Sequence, residues 1–112
     1  MTLRIERSGP TQVWTINLPE VGNAITDTGL IAAVEAAVDA ANSDTTVRAA
    51  ILTGEGKIFS AGGNVKEMAD RDGMFGLDPI EQRHAYVAGI QRIPGALARL
   101  EVPLIAAVNG PA

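Results

Sequence analysis

Two stretches of this chain, Val47 to Thr53 and Leu104 to Val108, are apolar almost without interruption. A strand with one solvated face alternates polar and apolar residues. A strand that is apolar throughout must be covered on both sides, which is the habit of parallel sheets in layered α/β folds. Such strands need helices between them, and the sequence supplies one. From Asp27 to Asn42 the apolar residues Leu30, Ile31, Val34, Val38 and Ala41 recur at helical spacing, with Glu35, Asp39 and Asn42 on the other side. This predicts an amphipathic helix, with Thr26 as N-cap and Asp27 set against the positive end of the helix dipole.

The N-terminal segment has the other strand pattern. Leu3 and Ile5 alternate with Arg4 and Glu6, Ser8-Gly9-Pro10 carries turn chemistry, and Val13, Trp14, Ile16 and Leu18 predict a second strand that closes a hairpin. Pro79 is placed to open a helix through Arg83, His84 and Tyr86, and Pro94-Gly95 predicts a kink or break before Ala96 to Leu100. Strands alternating with helices give an α/β layered architecture. At 112 residues the chain fits one domain, 1–112. It stops just after an apolar strand and a turn, where a further strand–helix unit is expected to begin, so the expectation is the N-terminal portion of a longer protein with its remainder absent.

Charge and residue types narrow the chemistry. Nine basic residues against thirteen acidic ones give a formal net charge of −4, without the basic footprint of a nucleic-acid or anionic-membrane binder. No apolar run is long enough to span a bilayer and the N-terminus is not a signal peptide, so a cytoplasmic protein is expected. With no cysteine, disulfides and thiolate catalysis are excluded. His84 is the sole histidine, and no carboxylates are spaced around it as metal ligands, so no metal is expected. A nucleotide loop at Gly54-Glu55-Gly56-Lys57 fails because Ile51 and Ile58 occupy the positions of the first glycine and the hydroxyl residue. Glu67, Asp70, Asp72 and Asp78 could each supply an acid or base, although such residues are mostly solvated. Trp14, Phe59, Phe75 and Tyr86 are expected to pack.

The stretch Ser60-Ala61-Gly62-Gly63-Asn64-Val65-Lys66 is different. It follows a buried strand and leads toward a helical turn expected at Val65. It has almost no side chain where backbone N–H groups would be free, so a ligand can approach the main chain closely. Small-residue loops of this kind build anion and oxyanion sites, and they also make ordinary tight turns. Both readings stay open on physical grounds.

Val47 to Met68, with its core Ile58-Phe59-Ser60-Ala61-Gly62-Gly63-Asn64-Val65-Lys66, closely resembles the first signature of the crotonase (enoyl-CoA hydratase/isomerase) superfamily. Pro103 to Gly110 resembles its second, and Asn23-Ala24-Ile25 matches the segment before the first long helix. The resemblance implies a crotonase-like spiral of ββα units, incomplete in this chain, and assembly as a homotrimer or hexamer. It implies an acyl-CoA substrate whose thioester oxygen is held by two backbone N–H groups, the first matching Gly63. Ala61, Gly62, Asn64, Val65 and Lys66 match residues lining the acyl-CoA site, and Ala24 matches the region contacting the CoA moiety. No cofactor is implied beyond the coenzyme A of the substrate. The second donor and the acid–base carboxylates are implied beyond Ala112. The family often has alanine in place of Gly63 and aspartate in place of Asn64, changes that leave a backbone donor intact. Enoyl-CoA hydration is the expected reaction. Double-bond isomerisation, dehalogenation, thioester hydrolysis and a non-catalytic assembly module are the alternatives.

Overall fold

Leu3–Ser8 forms strand β1 and Thr11–Ile16 forms β2, paired antiparallel with Leu3 opposite Ile16 and Ile5 opposite Trp14. Gly9-Pro10 closes the hairpin, and Gly9 sits at φ +58°, which glycine adopts without a Cβ penalty. Ala49–Gly54 forms β3 and Leu104–Ala106 forms β4. Both join in parallel, so the sheet order is β1-β2-β3-β4. The computed structural model describes residues 1–63, 78–89 and 91–112, with the backbone alone for residue 82 and residues 85–88.

A parallel β2–β3 pair needs a crossover connection, and the amphipathic segment provides it as α1, Thr28–Ser43. Its buried residues Leu30, Ile31, Val34, Ala37, Val38 and Ala41 form one stripe. They pack with Leu3, Trp14, Ile16 and Ala50 from the sheet into a single core. Trp14 is fully buried, and its indole N–H donates to Gln12 Oε1 at 2.8 Å, so the largest core side chain leaves no polar atom stranded. Among the described residues two further helices precede β4: α2, Pro79–Ala88, and α3, Arg92–Arg99. Ile93 and Ala96 of α3 add to the same core.

Several boundaries differ from the sequence expectation, each for a local reason. The N-cap of α1 is Asp27, not Thr26: Asp27 Oδ1 accepts the Leu30 N–H at 2.8 Å. The carboxylate thus acts by a direct hydrogen bond as well as through the dipole. Strand β3 begins at Ala49 because Val47 still belongs to a turn, its N–H donating to Asp44 O at 3.1 Å. Strand β2 stops at Ile16, since the Leu18 N–H is taken by the Asn23 side chain at 2.9 Å. Strand β4 ends at Ala106, with Val108 exposed.

Pro94-Gly95 does not break a helix. Both lie inside α3, where Pro94 is the third residue and its missing N–H falls in the first turn, which has no intrahelical acceptor. The interruption lies earlier, between Ala88 and Arg92, where Arg92 N–H turns back to Gly89 O at 2.9 Å. Pro79 does open α2, with Asp78 capping it by accepting the Glu81 N–H at 2.9 Å. The expected loop from Asp70 and helical start at Val65 lie outside the described residues.

Polar contacts tie α3 to α1. Asn42 donates to Arg99 O at 2.9 Å and accepts from Glu101 N–H at 2.8 Å, closing the end of α3. Arg92 grips Glu35 in a two-pronged ion pair, its Nε at 3.0 Å from Oε2 and its Nη2 on Oε1. That hydrogen bonding holds the Glu35 carboxyl below the usual glutamate range. A depressed folded-state value means that the pair supports the fold fully above the unfolded value, about 4.3. The support is lost as pH falls through that value toward the lowered one. Urea midpoints followed from about pH 6 down to pH 3 should therefore fall less steeply in Glu35→Gln than in the parent chain. Ile31→Ala, which opens a hole under α1, should cost about 2–5 kcal/mol in the same unfolding measurement.

Candidate active site at the strand C-terminal edge

Strands β2, β3 and β4 run the same way, so the loops that follow them leave the sheet at one edge. In open parallel sheets ligands bind at that edge. Three segments meet there: residues 17–25 after β2, residues 55–63 after β3 and residues 107–112 after β4. Main-chain hydrogen bonds lace them together. The Ala61 N–H donates to Gly22 O at 2.8 Å, Ile25 N–H to Gly62 O at 2.7 Å, and Phe59 N–H to Pro111 O at 2.9 Å.

Two asparagines complete the lacing. Asn23 has no exposed surface and sits at φ +54°, a left-handed backbone uncommon outside glycine. Its Oδ1 accepts the Leu18 N–H at 2.9 Å, and its Nδ2 donates to Glu55 O at 3.0 Å and Ile58 O at 2.8 Å. Asn109 does the equivalent from β4: its Oδ1 accepts the Gly54 N–H at 3.1 Å and its Nδ2 donates to Gly56 O at 3.0 Å. The Ser60 hydroxyl donates to Asn23 O at 2.9 Å and accepts the Gly62 N–H at 3.1 Å.

Two glycines allow this closeness. A Cβ on Gly54 would collide with the carbonyl oxygens of Phe59 and Ile58, and one on Gly110 would collide with the Lys57 carbonyl. Gly62 is different. Its φ is +79°, and the space before it is open, with no atom within 4 Å of where a Cβ would sit. The loop is thus bare on one side and hydrogen-bonded on the other. Among the described residues Gly63, half-buried, spends its N–H on no partner.

Beneath the loop lies an apolar cavity of about 330 Å³, lined by Ile16, Ile25, Leu30, Val34, Leu52, Phe59, Ile93 and the 60–62 backbone, with Ala112 at its wall. An apolar hollow beside an unspent backbone donor can hold an apolar group next to a polar acceptor. Of the residues expected to form the site, Ala61, Gly62 and Gly63 sit together on this rim. Ala24 is buried beside them, next to Ile25, whose N–H holds Gly62. Asn64, Val65 and Lys66 lie outside the described residues, as do Glu67, Asp70, Asp72 and Phe75. His84 is exposed on α2, on the helix surface. Glu55, on the loop after β3, is engaged by Arg4 at 2.7 Å. No group of three or more potential metal-ligating side chains gathers among the described residues. Their helices include none long and apolar enough to cross a membrane.

Reading the sequence missed the two clamps. Asn23 and Asn109 stand out only as turn residues beside glycine, and a turn asparagine has no sequence mark that separates a solvated amide from one that bonds a distant loop.

A mixed sheet with α1 across it and a bare backbone loop at the strand ends is a frame that unrelated functions share. Comparison with known proteins makes this specific. Residues 7–112 match the family described as Enoyl-CoA hydratase/isomerase. The chain is 34% identical over 109 residues to a probable mitochondrial enoyl-CoA hydratase of Dictyostelium discoideum, covering 97% of this chain and 36% of that protein. It is 32% identical to the 2,3-dehydroadipyl-CoA hydratase of Escherichia coli strain K12, covering 96% of this chain and 38% of that protein. It superposes on the enoyl-CoA hydratase crystal structure from Bacillus anthracis with a TM-score of 0.78 at 25% identity, over 98% of this chain and 40% of the other. The chain belongs to the enoyl-CoA hydratase/isomerase family and has the crotonase fold. It spans less than half the length of these relatives.

The close approach at Gly54 makes a direct prediction. Gly54→Ala should push residues 58–59 away from β3 and cost about 1–3 kcal/mol of stability in thermal or urea unfolding. Gly95→Ala, where a Cβ meets nothing, should leave stability unchanged or raise it slightly.

Proposed function

We propose that the whole protein containing this segment is an enoyl-CoA hydratase, adding water across the double bond of a 2-enoyl-CoA. The observation that carries the reading is the bare Gly62-Gly63 backbone, fixed by bonds on its other side and set over an apolar cavity. The hydratase names of the relatives support it. Gly63 N–H is assigned as one oxyanion donor to the thioester oxygen. Ala24, Ala61, Gly62, Asn64, Val65 and Lys66 are assigned to acyl-CoA binding. The family resemblance assigns the second donor and the acid–base carboxylates to chain beyond residue 112.

Water adding at C3 of the enoyl group drives electron density through C2 onto the thioester oxygen, giving an enolate-like transition state. That oxygen carries more negative charge there than in the ground state. A fixed N–H therefore lowers the barrier more than it tightens substrate binding. A backbone donor is well suited, because its direction is set by the fold and it needs no reorganisation as charge develops. The reaction needs no metal or cofactor beyond the CoA carried by the substrate. A homotrimer or hexamer is the assembly assigned by the resemblance.

In the full-length protein Gly63→Pro removes the N–H and should lower kcat for a short 2-enoyl-CoA by about 100- to 1000-fold, read from the loss of enoyl-thioester absorbance. An intact protein that does not hydrate any 2-enoyl-CoA would defeat the reading. The family description also covers isomerases, and formation of 2-enoyl-CoA from a 3-enoyl-CoA would favour that reaction instead. Dehalogenation, thioester hydrolysis and a non-catalytic module are separated by the same product analysis. Residues 1–112 alone, which supply one donor under this reading, should show no turnover.

A further inference from the structure

We propose that Asn23 is a positioning residue whose buried side-chain amide sets the direction of the Gly63 N–H, and with it the polarisation of a bound thioester. The proposal rests on the assignment of Gly63 as an oxyanion donor. Asn23 lies fully buried within the rim, so it acts through the loop and touches no substrate. Its left-handed backbone, φ +54°, would suit glycine better. What asparagine adds at this position is the amide, and the amide is fully used. One oxygen accepts from Leu18, and both amide hydrogens are directed to the carbonyls of Glu55 and Ile58, 32 and 35 residues away in sequence.

Those two carbonyls bracket the tight turn after β3, so Asn23 holds the turn at both ends. The same residue reaches the rim by a second route. Its own carbonyl accepts from the Ser60 hydroxyl, whose oxygen accepts the Gly62 N–H, and the next N–H along the chain is that of Gly63. Gly22 and Ile25, on either side of Asn23, bond Ala61 and Gly62. The loop is therefore tied to Asn23 itself at residues 55, 58 and 60, and to its neighbours Gly22 and Ile25 at residues 61 and 62. The amide itself fixes the turn at Glu55 and Ile58, and the main-chain bonds of residues 22–25 carry that fixed position to the peptide preceding the donor.

Two substitutions separate positioning from folding. Asn23→Gly keeps the left-handed backbone and removes the amide. Asn23→Asp keeps the shape but turns a carboxylate oxygen toward the carbonyls of Glu55 and Ile58, where no donor remains. The readout is made on the full-length protein with a conjugated dienoyl-CoA, whose absorbance moves to longer wavelength when its thioester oxygen is hydrogen-bonded. The bound spectrum reports only protein that is folded and occupied, so partial unfolding does not obscure it. The parent protein should show the shift. Both variants should lose most of it, with kcat lower by about 100-fold and KM nearly unchanged. If the parent shows the shift and the variants keep both shift and kcat while only melting earlier, Asn23 is structural and the proposal is overturned. If the parent itself shows no shift, the assignment of Gly63 fails first, and the two failures are told apart.

Discussion

The parallel pairing of β2, β3 and β4 is the constraint on which the rest of this structure depends. Parallel neighbours cannot be joined by a hairpin, so the chain must leave the sheet, cross it and return. The crossover is α1, and its buried stripe from Leu30 to Ala41 makes the core. The same directionality sends the three segments after β2, β3 and β4 out of one edge. The hydrophobic effect places α1 against the sheet, and the geometry of the sheet then dictates where backbone loops must meet.

At that edge the chain solves a problem of exposed polar backbone. Three irregular segments packed together would strand carbonyls and N–H groups, each costly if buried without a partner. Asn23 and Asn109 supply the missing partners with side-chain amides, which can donate and accept at once. Among the described residues no buried side-chain polar atom is left without a hydrogen bond. Among the described residues the Gly63 N–H has no partner, and the backbone beside it at Gly62 faces open space. Rigidity on one side and bareness on the other are what a preorganised donor requires.

The fold was largely legible in the residues. The α1 stripe, the hairpin about Gly9-Pro10 and the start of α2 at Pro79 are all found where spacing places them. The misses share a cause. Thr26 against Asp27, Val47 against Ala49 and the supposed break at Pro94 each turn on which hydrogen bond is made, which a pattern of apolar residues does not encode. Pro94 shows this well. Proline breaks a helix only where its N–H would have been used, and in the first turn it would not have been. The candidate loop was visible as small residues after a buried strand, yet an anion site and a plain turn look alike at that level.

Sequence alone determined the layered α/β class, the order of the elements, the family and the Ala61-Gly62-Gly63 loop. Each of these rests on local spacing or on a motif contiguous in the chain. Tertiary structure alone decided that residues 22–25, 58–62 and 109–112 form one laced rim, that Asn23 is its buried centre, and that an apolar cavity lies beneath. The physical reason is that these contacts join residues more than thirty positions apart. Only the parallel sheet, by aligning its strand ends, brings them within hydrogen-bonding distance.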